Sequence, residues 1–268
     1  MKKIIIFGYK SFLQKNLFNF LKKKNFTIIK KKFSDLKLTK CKPDDFIINC
    51  SINNDFFYKK YKKKNDRNFA ICKYFKNKKI NFIMLSTRQV YKPNLKITEN
   101  SKVQPINIYA HNYIASEKNC IKVMGENITI LRVSNVIGYD NGKKKRPSML
   151  NKILQGIKNK HIILDNSYNC QKDILPVLFF CKYLSLIIKN KVKGIVNLGS
   201  GQSLTLLQLA KILINKKKDV LIKINKNISS TDRSYKYNIN KLYNLTNLKF
   251  KKKDVIKEIL KIRKKIIF

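Results

Sequence analysis

The sequence predicts an α/β protein in which strands and helices alternate to build a doubly wound parallel sheet. Residues 3–7, KIIIF, form a continuous apolar run, and a segment with helical spacing follows at once. Similar pairs of short apolar and amphipathic segments recur along the chain, and right-handed crossovers would stack their strands into one sheet. The 268 residues, 44% of them hydrophobic, suffice to bury a large core.

The elements follow in order along the chain. After the strand at 3–7, a helix is predicted over residues 11–24, with an apolar face formed by Phe12, Leu13, Leu17, Phe20 and Leu21. Further strands are predicted at 26–30, 45–50, 81–86, 128–136 and 194–199. Helices are predicted at 56–78, 107–124, 176–189 and 204–215, and the tail is a basic amphipathic helix.

Two regions are less regular than this alternation, and they predict a smaller carboxy-terminal domain. The sheet domain would contain residues 1–138 and 174–200. The second domain, which would form a cap, would contain residues 139–173 and 201–268. No Pro-rich or Ser-rich linker separates the two.

The formal charge of +45 has two explanations. Sixty basic residues against fifteen acidic ones could serve a polyanion, and Phe57, Tyr58 and Tyr61 in a lysine-rich run could stack bases. However, only six of the basic residues are arginine, the side chain that nucleic-acid readers favour. The excess of Lys, Asn, Ile and Phe is typical of drift in an AT-rich genome. We therefore favour drift over a nucleic-acid partner as the explanation of the charge. We interpret the aromatic run as the solvated start of a helix.

The cysteines and the apolar segments indicate a cytoplasmic protein without a membrane span. The six cysteines form no CxxC pair and fall mostly within apolar segments, as is typical of reduced thiols in a core. The apolar run at 174–188 is short and is interrupted by Pro176, Lys182 and Ser185. A buried helix is the better interpretation of this run.

The first strand is followed by GYKSFLQ, residues 8–14, at the place where dinucleotide folds bind a pyrophosphate. Glycines in this turn let the backbone approach the anion, and the N-H groups at the start of the helix point at it. Only Gly8 remains of the three-glycine pattern, with Ser11 and Gln14 in the other positions. Ser11 suits a tight turn, whereas Gln14 should crowd the packing of helix on strand.

Several segments occur in the order of a known family: LSTRQVY (85–91), INIYAHNYIASEK (106–118), ILRVSNVIG (130–138), KDILPV (172–177) and VNLGSG (196–201). With the first turn, they make the chain resemble the extended short-chain dehydrogenase/reductases of nucleotide sugars. The reductases of dTDP-4-keto-6-deoxy sugars and the NAD-dependent epimerase/dehydratases are the nearest groups. The resemblance implies a Rossmann domain for NAD or NADP, a sugar-nucleotide domain and a Ser/Thr-Tyr-Lys catalytic set.

In the resemblance, the catalytic positions fall on Thr87, Tyr109 and Tyr113. Thr87 would bond the sugar oxygen, although a strand-end threonine also caps backbone groups. Tyr109 would exchange a proton with that oxygen as hydride moves. The family's lysine, one helical turn later, lowers the pKa of this tyrosine. Here that position holds Tyr113, which supplies no charge.

The cofactor positions are less specific. Phe12 and Leu13 follow Ser11 in the turn, and Asn49, Cys50 and Ser51 match the family's segment beneath the cofactor. An acidic residue that selects NAD should follow the second strand. That place holds Lys30, Lys31 and Lys32, which suit a 2'-phosphate and favour NADP slightly over NAD.

In the resemblance, the substrate positions fall on Asn135, beside the sugar ring, and on Arg233, which with Asp232 would contact the diphosphate. Arg132 is interpreted as structural. Lys172 replaces the family's arginine, and Leu178 and Phe179 replace an acidic pair.

Two functions remain open. The first is an NAD(P)-dependent oxidoreductase, epimerase or dehydratase acting on a nucleotide sugar, and we favour it because Thr87 and Tyr109 both survive. The second is a non-catalytic relative that binds a nucleotide or a partner. A homodimer through the helices at 56–78 and 107–124 is a further implication of the resemblance.

Overall fold

The computed structural model describes residues 2–24, 26–140, 148–164, 169–214, 219–224 and 233–265. Its strands are β1 (Lys3–Phe7), β2 (Thr27–Lys31), β3 (Phe46–Asn49), β4 (Asn81–Thr87), β5 (Ile128–Val133), β6 (Asn135–Ile137), β7 (His161–Leu164), β8 (Gln171–Pro176), β9 (Gly194–Leu198), β10 (Ser203–Thr205) and β11 (Leu221–Ile224). Its α-helices are α1 (Phe12–Lys22), α2 (Asp55–Tyr58), α3 (Arg67–Phe75), α4 (Ile108–Met124), α5 (Met149–Lys158), α6 (Val177–Lys189), α7 (Leu206–Ile214), α8 (Asn240–Thr246) and α9 (Lys252–Lys264).

The main sheet confirms the predicted fold class. Six strands run parallel in the order β2-β1-β3-β4-β5-β9. Every residue of β3, β4 and β5 is buried, because helices cover both faces of the sheet. Helix α1 packs against α6, and α3 packs against α4. The carboxyl ends of the parallel strands therefore meet at one edge, where such folds bind ligands.

Two smaller sheets lie outside this core. Strand β8 pairs with β6 in parallel and with β10 in antiparallel orientation. Strand β11 pairs in parallel with β7, against which α5 packs. The strand predicted at 128–136 is wrong as a single element, because the chain leaves the main sheet at Ser134. The Ser134 amide donates to the Leu198 carbonyl at 2.9 Å, and its hydroxyl donates to Asp173 at 3.1 Å.

The helix predicted at 56–78 is also wrong as a single element. Helix α2 ends after one turn, and the chain is extended at Lys59. Asp66 then begins α3 by accepting hydrogen bonds from the amides of Asn68 and Phe69. The Asn112 side chain holds the loop open by donating to the Phe56 and Lys59 carbonyls at 2.9 and 2.8 Å. Likewise, the helix predicted at 204–215 starts later, at the end of β10.

In the described ranges, no helix is long and apolar enough to cross a membrane. The segment predicted as a buried helix at 176–189 is α6, whose apolar side chains pack into the core. The six cysteines are free thiols, and four of them are buried.

Candidate active site

The turn after β1 lies against the end of β3. The Cys50 amide donates to the Phe7 carbonyl at 2.9 Å, and Gly8 has a φ of 114°. A Cβ added to Gly8 would lie 2.7 Å from the Cys50 carbonyl carbon, so no other residue fits here. Ser11 caps α1 by accepting from the Gln14 amide at 3.2 Å. The turn thus keeps a close backbone approach and a helix N-terminus, which fit a dinucleotide diphosphate.

Gln14 occupies its position without disrupting α1. Its side chain is buried, and its amide nitrogen finds no hydrogen-bond partner among the described residues. The substitution therefore costs an unpaired polar group rather than a broken helix. Of the other two positions in the turn, Phe12 packs against Gly138 and Leu13 against the core.

A cationic cluster surrounds Tyr9 at the ends of β1 and β2. The ammonium groups of Lys10 and Lys32 lie 5.5 and 5.7 Å from the centre of the Tyr9 ring. Lys30 points elsewhere, since its ammonium lies 4.1 Å from the Phe18 ring. Lys10 was not a predicted site residue, although its place within the turn was a signal for it.

The segment after β3 is held by Asn49. The buried Asn49 amide donates to Asn68 at 2.7 Å and to the Ser51 carbonyl at 3.1 Å, and its oxygen accepts from the Ser51 amide at 2.9 Å. These bonds fix the path of Cys50 and Ser51 beneath Gly8. The side chain of Asn49 is fully engaged in this support.

A cavity of about 1010 Å³ opens on the carboxyl side of β4 and β6. Its lining includes Tyr109, Asn135 and Arg233, three of the predicted site residues, while Tyr113 and Thr87 do not line it. The cations that line it are Arg88, Lys92, Lys152, Lys172 and Arg233. Among the described residues of the lining there is no Asp or Glu. The cavity therefore suits an anionic ligand.

Thr87 ends β4 and caps the turn that follows. Its buried hydroxyl oxygen accepts from the Gln89 amide at 3.3 Å, which is the structural role considered for a strand-end threonine. Arg88, the next residue, lines the cavity instead. The Arg88 guanidinium lies 3.7 Å from the centre of the Tyr235 ring. Sequence reasoning missed Arg88, because its stacking partner is distant in the chain.

Tyr109 and Tyr113 lie one turn apart on α4, with ring centres 4.9 Å apart in an edge-to-face arrangement. The half-buried Tyr109 ring stacks on Phe57 at 5.0 Å, and the buried Tyr113 ring packs on Phe56 at 5.1 Å. Burial raises the pKa of the Tyr109 hydroxyl, while a hydrogen bond with Tyr113 and the charge of Arg88 lower it in part. Burial also raises the pKa of Tyr113 well above its ordinary value. Phe57 therefore supports Tyr109, and Tyr113 supplies no charge to it.

A buried polar network anchors α4 to the sheet behind the cavity. Arg132 on β5 donates to both carboxylate oxygens of Glu117, at 2.6 and 3.2 Å, and Ser86 on β4 donates to the same carboxylate. Arg132 also donates to the Tyr91 hydroxyl at 2.7 Å, and that hydroxyl donates to Asn197 on β9 at 3.0 Å. Arg132 is therefore structural, as the sequence predicted.

The far wall of the cavity is formed by the second sheet and the segment before α8. The Lys172 ammonium, largely buried, donates to the Arg233 carbonyl at 2.6 Å. Burial and the charges of Arg88 and Arg233 lower the pKa of Lys172. The amide nitrogen of Asn135 is buried without a partner in the described part of the chain. Asp232, the other predicted diphosphate residue, lies outside the described residues.

Solved structures share the whole fold at low sequence identity. A UDP-N-acetylglucosamine 4-epimerase from Methanobrevibacter ruminantium, in complex with UDP-N-acetylmuramic acid, is 19% identical with a TM-score of 0.80, covering 98% of this chain and 97% of its own. RMD from Pseudomonas aeruginosa, complexed with NADPH, is 16% identical with a TM-score of 0.81 over 100% of both chains. A UDP-N-acetylglucosamine 4-epimerase from Bacillus cereus is 16% identical with a TM-score of 0.78, also over 100% of both chains.

Similarity in sequence extends this likeness in fold to a family of proteins. Among the curated proteins no match is found. A family profile matches residues 52–199, which is more than half of the chain. The matched part contains β4, α4 and β5, together with β6 and β8 of the second sheet. This chain belongs to the NAD dependent epimerase/dehydratase family.

Proposed function

We propose that this protein is an NAD(P)-dependent enzyme that reduces, epimerises or dehydrates a nucleotide-activated sugar by hydride transfer at a sugar carbon. One observation carries the proposal: Tyr109 lines a cation-rich cavity of about 1010 Å³ at the carboxyl edge of a parallel sheet. That volume is large enough for a sugar nucleotide. Family membership and the names of the structural relatives support the same chemistry.

Tyr109 exchanges the proton in this mechanism. In the direction of reduction, its O-H bond breaks and a new O-H bond forms at the sugar carbonyl oxygen, which leaves a phenolate. Oxidation of the sugar alcohol returns the proton to the phenolate. A nicotinamide cofactor, held by the turn at Gly8 and Ser11, would supply or accept the hydride. Phe57, stacked on Tyr109 at 5.0 Å, keeps the ring in place during both directions.

The cavity wall would bind the rest of the substrate. Lys172 and Arg233 suit the diphosphate, since both are cations in the same wall. Asn135 offers an unpartnered amide nitrogen to the sugar. The Thr87 hydroxyl, which accepts from the Gln89 amide and does not line the cavity, supports the turn that carries Arg88 rather than the sugar. In this assignment the second sheet and the C-terminal segment form the substrate domain.

NADP is the better-fitting cofactor. Lys10 and Lys32 converge on Tyr9 at the ends of β1 and β2, so a 2'-phosphate there would meet two ammonium groups and an aromatic face. Lys31 lies beside them in the chain, whereas Lys30 is engaged with Phe18. This cluster supports NADP more directly than the lysine run alone.

A non-catalytic relative is the second candidate. Tyr113 in place of the lysine, the buried amide of Gln14, and Leu178 and Phe179 in place of the acidic pair all favour it. Fold alone does not settle the choice between them. A cytoplasmic location and a homodimer through the helices within residues 56–78 and 107–124 belong equally to both candidates.

Cofactor binding tests the first part of the proposal. NADPH and NADH are titrated separately at physiological salt, and the fluorescence of the reduced nicotinamide is followed. We expect saturable binding of NADPH, displaced by NADP but not by pyrophosphate, with about tenfold weaker binding in Lys32→Ala, because one charge-assisted contact is lost. Lys30→Ala is the matched control and should change little. Equal binding of both cofactors would refute the NADP assignment, and no saturable binding would favour the non-catalytic relative.

Turnover tests the second part. The wild-type protein and Tyr109→Phe are incubated with NADPH and a panel of 4-keto sugar nucleotides, and the loss of reduced nicotinamide is measured. We expect turnover of at least one member by the wild type, and its reduction by at least about a hundredfold in the variant, because proton transfer is lost. Unchanged turnover in Tyr109→Phe would remove the mechanism.

A further inference from the structure

The absent lysine leaves open which group stabilises the Tyr109 phenolate. Tyr113 is neutral and buried against Phe56, so it cannot take this role. His111 and Lys118, two basic residues of α4, are exposed. Arg132 is buried, but its charge is balanced by Glu117 at 2.6 Å. None of these four groups on α4 or β5 can replace the lysine.

We propose that Arg88 is the positioning residue that supplies Tyr109 with its positive charge, from the end of β4 rather than from α4. The inference rests on the proposed function for its consequence, since a stabilised phenolate matters only if Tyr109 transfers protons. Arg88 and Tyr109 line the same cavity. Within the described ranges, no carboxylate pairs with Arg88, so its charge is not neutralised before a substrate enters.

The turn after β4 is tied to the start of α4, which holds the two residues together. Gln89, next to Arg88, accepts a hydrogen bond from the Asn107 side chain at 2.6 Å. Asn107 is the N-cap of α4 and accepts from the Ala110 amide at 2.9 Å. Tyr109 precedes Ala110, so two hydrogen bonds connect the residue beside Arg88 to the residue beside Tyr109.

Tyr235 fixes the guanidinium itself. The centre of its buried ring lies 3.7 Å from the Arg88 guanidinium, and this contact restricts the side chain at the cavity wall. Lys172 on the same ring, at 5.5 Å, is engaged with the Arg233 carbonyl. The charge of Arg88 lowers the pKa of Tyr109 in part, against the larger effect of burial, which raises it.

Arg88 differs from a lysine in one respect. A guanidinium does not lose its proton in a protein, so it stabilises the phenolate but cannot return a proton to it. The proton that restores Tyr109 must then come from the sugar hydroxyl in the reverse step or from water.

Titration of Tyr109 tests the inference without substrate or cofactor. The protein is labelled with tyrosine carrying ¹³C at Cζ, the Tyr109 resonance is identified by its loss in Tyr109→Phe, and its chemical shift is followed with pH. We expect Arg88→Gln and Arg88→Met to raise the pKa of Tyr109 by about one unit, a tenfold loss of phenolate at fixed pH. Arg88→Lys should retain most of the effect. Lys92→Gln, which removes another cation from the cavity lining, should leave the pKa of Tyr109 unchanged.

A double variant that moves the positive charge from position 88 to position 113 provides the decisive test. Adding Tyr113→Lys to Arg88→Gln should bring the pKa of Tyr109 back down, because the charge then returns from the family's position. An unchanged Tyr109 pKa in both Arg88→Gln and Arg88→Met, with the ¹³C spectrum of the other tyrosines intact, would overturn the inference. Arg88→Met keeps an apolar stem on Tyr235, so it covers the case in which Arg88→Gln does not fold. Since no cofactor is present, failure here is distinct from failure of NADPH to bind.

Discussion

The ion pair between Glu117 and Arg132 should be the costliest single contact to break in this protein. Both residues are nearly inaccessible, at 3% and 4% exposure, and Arg132 donates to both oxygens of Glu117. Glu117→Gln keeps the shape and one acceptor but leaves the guanidinium charge buried and unbalanced. Such a loss costs about 3–5 kcal/mol of unfolding free energy, because the charge has no water to solvate it. Helix α4, which carries Tyr109, would lose its main anchor.

The matched control is Glu258→Gln. Glu258 also lies 2.6 Å from its partner, Lys261, but that pair is on the surface, with the Lys261 side chain half exposed. We expect it to cost less than about 1 kcal/mol. Equilibrium unfolding in urea, followed by circular dichroism, measures both variants at one pH and salt concentration. Equal costs within about 0.5 kcal/mol would refute the reasoning, because burial would then not matter at a fixed distance.

Three further variants test the turn after β1 and the start of α3. Lys10→Gly should raise the unfolding free energy by about 0.5–1 kcal/mol, because Lys10 has a φ of 66°. Lys10→Ala should not raise the unfolding free energy, and an increase in that variant would contradict the backbone explanation. Gly8→Ala should lower the melting temperature and weaken NADPH binding, since its Cβ would meet Cys50; wild-type values for both would contradict this. Burial raises the pKa of Asp66 above its ordinary 3.8, so the wild type loses stability as the pH rises above that value. Asp66→Asn keeps the helix cap but has no carboxyl group to titrate. The unfolding free energy of Asp66→Asn in urea, relative to that of the wild type, should therefore increase from pH 4 to pH 7. A difference that stays constant over this range would contradict the raised pKa of Asp66.

The main sheet could be predicted because its strands are continuous apolar runs, and because right-handed crossovers stack such strands into one parallel sheet. The boundaries that failed depend on contacts distant in the chain. The segment at 128–136 is divided between two sheets at Ser134, whose hydroxyl donates to Asp173 on β8 of the second sheet. The break before α3 did have a local signal, since Asp66 is a good N-cap, but the bonds from Asn112 that hold the loop are not visible in the sequence.

In the candidate site, too, some residues carry a local sequence signal and others depend on contacts distant in the chain. The places of Gly8, Tyr109 and Asn135 at the carboxyl edge of the sheet could be predicted from motifs, because each follows or begins an element there. The interpretation of Thr87 as a cap and the engagement of Lys30 with Phe18 required coordinates. Arg88 could not be found at all from its neighbours, because its significance depends on Tyr235, which belongs to the segment before α8.

The position of β9 in the sheet has a consequence for biosynthesis. Strand β5 pairs with β9 residue for residue from Thr129 with Gly194 to Val133 with Leu198, yet residues 134–193 separate the two strands. While the nascent chain ends before residue 198, β5 is an edge strand with unpaired backbone groups and a buried-type apolar sequence, a form that invites aggregation. The apolar helix α6 also emerges from the ribosome before β9. Truncations before residue 198 should therefore be insoluble, and a chaperone that shields β5 would act in this interval of synthesis.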